Sequence, residues 1–148
     1  MVKKCRCMPG QIAQYQKRIS GPIIDRIDLH VELPPVAIDK LTGDLKSESS
    51  KKVKERVQKA RDIQTKRYKN TKLVCNSDLN TKDVKELIPL SPDCLSLLRE
   101  AVSTMKLSAR TYLRIIKVAR TIADLNNIKD ISLPNIAEAL QYRPKDEI

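Results

Sequence analysis

The chain has 148 residues, with 29 Lys and Arg against 18 Asp and Glu, a formal net charge of +11 and a sequence pI of about 9.6. This balance favours a polyanionic partner, nucleic acid or nucleotide phosphates, while also raising solubility; it narrows the partner class and not the fold. With no Trp, no Phe and four Tyr, rings for stacking on unpaired bases are in short supply, which argues against a single-strand platform of the OB type.

The opening MVKKCRC has no apolar signal-peptide core, and no run approaches the roughly 20 apolar residues of a membrane span. A cytoplasmic protein without a membrane partner is expected. The four cysteines, Cys5, Cys7, Cys75 and Cys94, read as reduced thiols rather than a disulfide framework. Cys94 falls at an apolar helical position and is a core candidate. Cys5 and Cys7 supply at most half of a tetrahedral zinc site, which needs four ligands, so no metal is assigned.

From Pro9 to Ser20, Ile12, Tyr15 and Ile19 recur at helical spacing behind Pro9 and Gly10, predicting a short amphipathic helix. Ser20, Gly21 and Pro22 break it. Ile27, Leu29, Val31 and Leu33 then alternate with Asp28, His30 and Glu32, the period of a strand with one buried face. A lone strand has nothing to pair with, so this opening region reads as the edge of a larger domain. His30, the single histidine, falls on the polar face and is expected at the surface, without chemistry.

Residues 36–46 read as a connector. Residues 47–70 predict a long basic helix with a narrow apolar stripe of Val53, Val57 and Ala60. Such a helix either lies on a scaffold by its thin stripe or meets phosphates, and the sequence leaves both open. After a loop at Cys75, Asn76 and Ser77, four helices follow in the last seventy or so residues, the makings of a small bundle. Thr81 is read as the cap of the first, through Leu87. Ser91 caps the second, with Pro92 at its first position and Cys94, Leu97, Leu98, Ala101, Val102 and Met105 at helical spacing. Residues 107–125 form the third, and Ser132 precedes a last helix carrying Ile136, Ala139 and Leu140.

The third helix is the one on which function centres. Arg110, Arg114 and Lys117 stand at i, i+4 and i+7 on one face, opposite Tyr112, Ile115, Val118, Ala119, Ile122 and Ala123. Ser108 occupies the N-cap position, which puts Arg110 in the first turn, where a cation opposes the helix dipole. That placement points to an anionic partner, or to three long side chains solvating an outer face.

Three stretches, RISGPIIDRIDLHVELP (residues 18–34), VQKARDIQTKRY (residues 57–68) and LSARTYLRIIKVARTIADL followed by IAEALQYR (residues 107–125 and 136–143), resemble the C-terminal part of the ComM/YifB-like, magnesium-chelatase-related AAA+ ATPases. The resemblance implies a mainly α-helical fragment: a remnant of the AAA+ ATPase core over 1–35, a connector and basic helix over 36–75, and a helical lid over 76–148. It implies a ring-forming, hexameric parent, a DNA helicase that promotes branch migration in competence, with neighbouring subunits and DNA as partners and ATP and magnesium as cofactors.

The resemblance also implies residue roles. In SGPIIDRIDL it makes Arg26 the finger that reaches the nucleotide of the neighbouring subunit, where Asp25 and Asp28 alone would suggest a local salt bridge. A finger in trans is worth on the order of a thousandfold or more in rate. In Ser108, Ala109 and Arg110 it makes Arg110 the second sensor, contacting the γ-phosphate. Arg114 and Lys117 become candidates for subunit contact or nucleotide approach; Arg61 belongs to the pattern with no role beyond packing or an interface. The family pattern often includes a further cysteine pair upstream of Cys5 and Cys7.

The sequence holds no GxxxxGK[ST] phosphate-binding loop and no apolar strand ending in acidic magnesium ligands. The chain alone is therefore expected to bind no cofactor and to be inactive. Two competing functions stand beside the DNA motor: an ATPase subunit of a metal-chelatase complex, and a stand-alone basic helical module that binds nucleic acid.

Overall fold

The computed structural model describes residues 5–18, 21–24, 26–34 and 47–143. Among these there are seven α-helices and no strand: α1 (Pro9–Gln16), α2 (Gly21–Ile24), α3 (Ser50–Arg67), α4 (Thr81–Leu87), α5 (Pro92–Thr104), α6 (Ala109–Leu125) and α7 (Leu133–Gln141). A 3-10 turn, Asn76–Asp78, joins α3 to α4. The mainly α-helical fold expected from the sequence is thus the one observed. Ile19, Ser20, Asp25 and the connector 36–46 lie outside the described residues.

The helix starts are set by local chemistry. Ser108 Oγ accepts the Thr111 amide at 3.2 Å and Ser91 Oγ that of Cys94 at 3.3 Å, each satisfying an otherwise orphaned first-turn donor. Thr81 is not the cap of α4. Asn80 is, its Oδ1 taking the amides of Lys82 and Asp83 at 2.8 and 3.0 Å while Asp83 Oδ2 accepts the Asn80 amide at 3.0 Å. The amide side chain reaches two donors from outside the helix, and the reciprocal carboxylate completes a capping box.

Two helices end in the same way. Lys106 (φ 48°) and Asn127 (φ 56°) adopt the left-handed conformation. Beyond them Leu107 donates to Val102 O at 3.1 Å and Ile128 to Ala123 O at 2.8 Å, the six-to-one bond of a Schellman motif.

α6 is the central helix, packing against α3, α4, α7 and the 3-10 turn, while α5 packs on α7. Leu98, Ile115, Ile116, Ala119, Ala123 and Ile136 form the middle of the core. The expected apolar arc of α6 is there, but burial runs further round: Thr111, Arg120 and Asp124 are buried as well. On α3 the expected stripe is only partly used. Ala60 is buried, as are Gln64 and Tyr68, whereas Val53 and Val57 are 37% and 47% exposed, because the first turns of α3 extend past the described bundle.

Residues 27–34 are extended but join no ladder among the described residues. Their apolar side chains face out, with Ile27 43%, Leu29 51%, Val31 62% and Leu33 86% exposed. The segment docks through the Asp28 carboxylate and through backbone groups, the His30 amide and the Ile27 carbonyl, all of which reach the bundle. His30 is accordingly half-buried rather than a surface residue. Arg114 on α6 and the groups at the end of α7 hold the segment in this orientation, and among the described residues no second strand covers its apolar side.

Candidate functional site

The site is built on the N-terminal half of α6. Ser108 caps the helix and its hydroxyl also exchanges a 3.0 Å hydrogen bond with Thr111 Oγ1. This fixes Arg110 in the first turn, exposed, beside amides that carry the positive end of the dipole. Among the described residues no carboxylate or carbonyl takes its guanidinium.

One turn on, Arg114 Nη1 lies 2.7 Å from Asp28 Oδ1, an ion pair between α6 and the extended segment. Asp28 therefore pairs across the fold and not with Arg26. Arg143 Nη1, at the end of α7, donates to Ile27 O at 3.1 Å, and the His30 amide donates to Tyr142 O at 2.8 Å. Three contacts thus tie residues 27–30 to the bundle, and Arg26 immediately precedes them. Arg26 is exposed; its Nη1 makes a long 3.4 Å bond to Pro22 O within its own turn.

Lys117, third in the basic row, is half-buried, and its Nζ donates to Ser77 O at 3.0 Å, anchoring α6 to the 3-10 turn. Arg61 is exposed on α3 beside Cys75. The Cys75 thiol is held below its ordinary pKa, first by the Ser77 hydroxyl (Sγ to Oγ 3.0 Å) and then by Arg61. The structure therefore separates the expected cations: Arg114 and Lys117 are engaged in contacts between elements, while Arg110 and Arg26 remain presented to solvent.

The sequence reading missed a buried polar network behind this face. Asp124, 1% exposed, accepts from Arg67 on both carboxylate oxygens, from Asn76 Nδ2 at 2.9 Å and from Arg120 Nε at 3.2 Å. Arg120 spends its other donors on the carbonyls of Lys129 and Ile128, both at 2.7 Å. Asn76 also binds Thr121 Oγ1 at 2.9 Å and takes the Tyr68 hydroxyl at 2.8 Å.

Burial raises the Asp124 pKa, but the hydrogen bonds from Arg67 and Asn76 and the charge of Arg120 outweigh it, so the carboxyl lies below the ordinary value. The bond to Asp124 raises the Arg67 pKa, whereas burial lowers that of Arg120. A signal existed: Arg120 and Asp124 are four apart on the helix that buries the most residues among those described.

Cys5 and Cys7 are exposed free thiols, and the Cys5 pKa is lowered by hydrogen bonds from Cys7, that of the backbone first. Among the described residues no three His, Cys, Asp or Glu side chains come together as a metal site, and no helix is long and apolar enough to cross a membrane.

These observations define a class: a small helical module that holds one guanidinium free at a capped helix start and ties an extended, arginine-bearing segment to the same helix. Comparison with known proteins gives the family. The profile described as magnesium chelatase, subunit ChlI C-terminal, matches residues 47–143, and that of magnesium chelatase, subunit ChlI, matches residues 1–41. The chain belongs to the magnesium chelatase ChlI family, as its three motifs indicated.

It is 41% identical over 140 residues to the competence protein ComM of Haemophilus influenzae, covering 93% of this chain and 26% of that protein. With YifB of Escherichia coli the identity is 38% over 145 residues, covering 97% and 28%. An uncharacterized Mycobacterium bovis protein is 27% identical over 139 residues, covering 94% and 27%. The chain spans about a quarter of the length of these relatives.

Proposed function

We propose that the chain is the C-terminal part of a ring-forming AAA+ ATPase of the ComM kind, a motor that moves branched DNA in competence and recombination. The likeness to ComM supports the biological setting, and the observation that carries the chemistry is Arg110. A guanidinium in the first turn of a helix works against the dipole, and phosphate oxygens would offset that cost with charge-assisted hydrogen bonds.

In the parent, ATP with magnesium supplies the phosphoryl group that is transferred. The chain's own residues bind and neutralise charge. Arg110 contacts the terminal phosphate within its own subunit as the second sensor. Arg26 reaches the nucleotide of the neighbouring subunit as a finger, in a hexamer. The Asp28 and Arg114 pair positions the finger-bearing segment against the helix that carries the sensor, so that lid and core respond together.

The family description favours one second reading, an ATPase subunit that powers metal insertion into a tetrapyrrole. The two part on one measurement, whether branched DNA stimulates ATP turnover by the full-length parent. In that protein Arg26→Ala and Arg110→Ala are each expected to lower turnover on the order of a thousandfold or more. Mixing the two variants should restore part of it, because one residue acts between subunits and the other within. No recovery from mixed hexamers overturns the division of roles.

A further inference from the structure

The first half of α3 stands clear of the bundle. Every residue from Ser50 to Lys59 is exposed, and burial begins only at Ala60. Along this strut Lys52, Lys59 and Lys66 recur every seventh residue, so their Cα atoms lie about 10.5 Å apart along the axis. Successive members turn by only about 20°, which keeps the three in one nearly straight row. All three are exposed, on flanks turned away from the buried Ala60 and Gln64.

Among the described residues, none of the three lysines forms an ion pair. Arg56, by contrast, pairs with Glu48 at 3.0 Å. The helix has two acids; Asp62 accepts from Gln58 at 2.8 Å, and Glu55 forms no ion pair among the described residues. Lys69 and Lys72, both exposed, continue the cationic surface past the helix end.

We propose that this row is a docking surface for the phosphodiester backbone of duplex nucleic acid. It deepens the DNA-directed reading above by naming the surface that meets the DNA, but stands on charge geometry alone. Glu55 and Asp62 stand three and four residues from members of the row, but the helix carries eight Lys and Arg against these two acids, and this excess of positive charge along one axis fits a polymer with one negative charge per about 1.7 Å of axis. α3 has no aromatic residue with which to stack on bases, so binding is through the backbone and independent of sequence. A lipid surface fits less well: Val53 and Val57 are the exposed large apolar side chains of α3, too little for insertion.

The test is fluorescence anisotropy of this chain with a short labelled duplex over a sodium chloride series, without nucleotide. Three proteins are compared: the unaltered chain, a Lys52→Gln, Lys59→Gln, Lys66→Gln triple variant, and a Lys82→Gln, Lys85→Gln, Arg99→Gln control of equal charge. Circular dichroism verifies that the helices persist. The row variant is expected to lose about 2.7 from the slope of log K against log salt, and on the order of a hundredfold in affinity near 0.1 M salt. The control should change little. The proposal is overturned if the row variant binds like the unaltered chain, if the control loses as much, if the unaltered chain does not bind, or if phosphatidylserine vesicles bind the three lysines more tightly than DNA. Because no nucleotide is present, any of these outcomes leaves the roles of Arg26 and Arg110 standing, and their failure leaves this surface intact.

Discussion

Arg67 and Asp124 are 57 positions apart and meet in the interior, the guanidinium of one bonding both carboxylate oxygens of the other. The pair joins the last turn of α3 to the last turns of α6, so among the described residues the basic helix is anchored through its C-terminal half. Asn76 and Arg120 complete the coordination of Asp124, and no lone pair of a buried anion is left facing apolar side chains.

Removing one member of that network is expected to cost more than removing a surface charge. Asp124→Ala leaves the guanidinium of Arg120 buried without its counter-ion and should destabilise by about 3 to 5 kcal/mol. Lys85→Ala, at an exposed position of α4, should change stability by less than about 0.5 kcal/mol. Urea unfolding followed by circular dichroism measures both.

The same carboxylate sets an acid limb. Its pKa is depressed in the folded state, so its stabilising contribution is full above the unfolded value of about 3.9 and is lost as pH falls through the lower, folded value. Asp78 adds to the limb in the same direction, since its carboxylate accepts the amides of Val74 and Cys75 at 2.9 and 3.1 Å. Urea midpoints should be level near neutrality and fall below about pH 4, and Asp124→Asn should flatten that fall while lowering the plateau.

The Asp28 and Arg114 ion pair is a positioning contact with little effect on global stability. Both groups are partly exposed, so a double-mutant cycle should return a coupling of about 1 kcal/mol or less that shrinks with salt. Amide exchange is the sharper readout: either Asp28→Ala or Arg114→Ala should speed exchange at His30, whose amide is bonded to Tyr142 O, without accelerating exchange in α6.

Lys106 occupies a left-handed backbone position at the end of α5, where an L-residue with a Cβ is strained by about 1 kcal/mol. Lys106→Gly relieves that strain within an unchanged Schellman motif and is expected to raise the midpoint of thermal unfolding by a few degrees. A lower midpoint would show that the lysine side chain contributes more than the backbone strain removes.

Much of this protein was determined by sequence alone, because the forces concerned act within one turn of helix. Ser91 and Ser108 cap the helices they were expected to cap, the apolar period of α6 marks the side it buries, and the three motifs locate the family. Arg110 is legible for the same reason, since its conflict with the dipole depends only on its distance from Ser108.

Tertiary structure decided the rest. Arg120 and Asp124 look like an ordinary surface pair four residues apart until Arg67 and Asn76 arrive from α3 and the turn after it, and whether a charge is buried depends on partners that no local window contains. Alternation over residues 27–33 predicts a buried apolar face, but that face is exposed; Arg114 takes the Asp28 carboxylate, while Tyr142 and Arg143 bond the backbone of His30 and Ile27. Asp28 and the Ser77 carbonyl separate anchored Arg114 and Lys117 from exposed Arg110, a distinction that three cations on one helical face cannot carry by themselves.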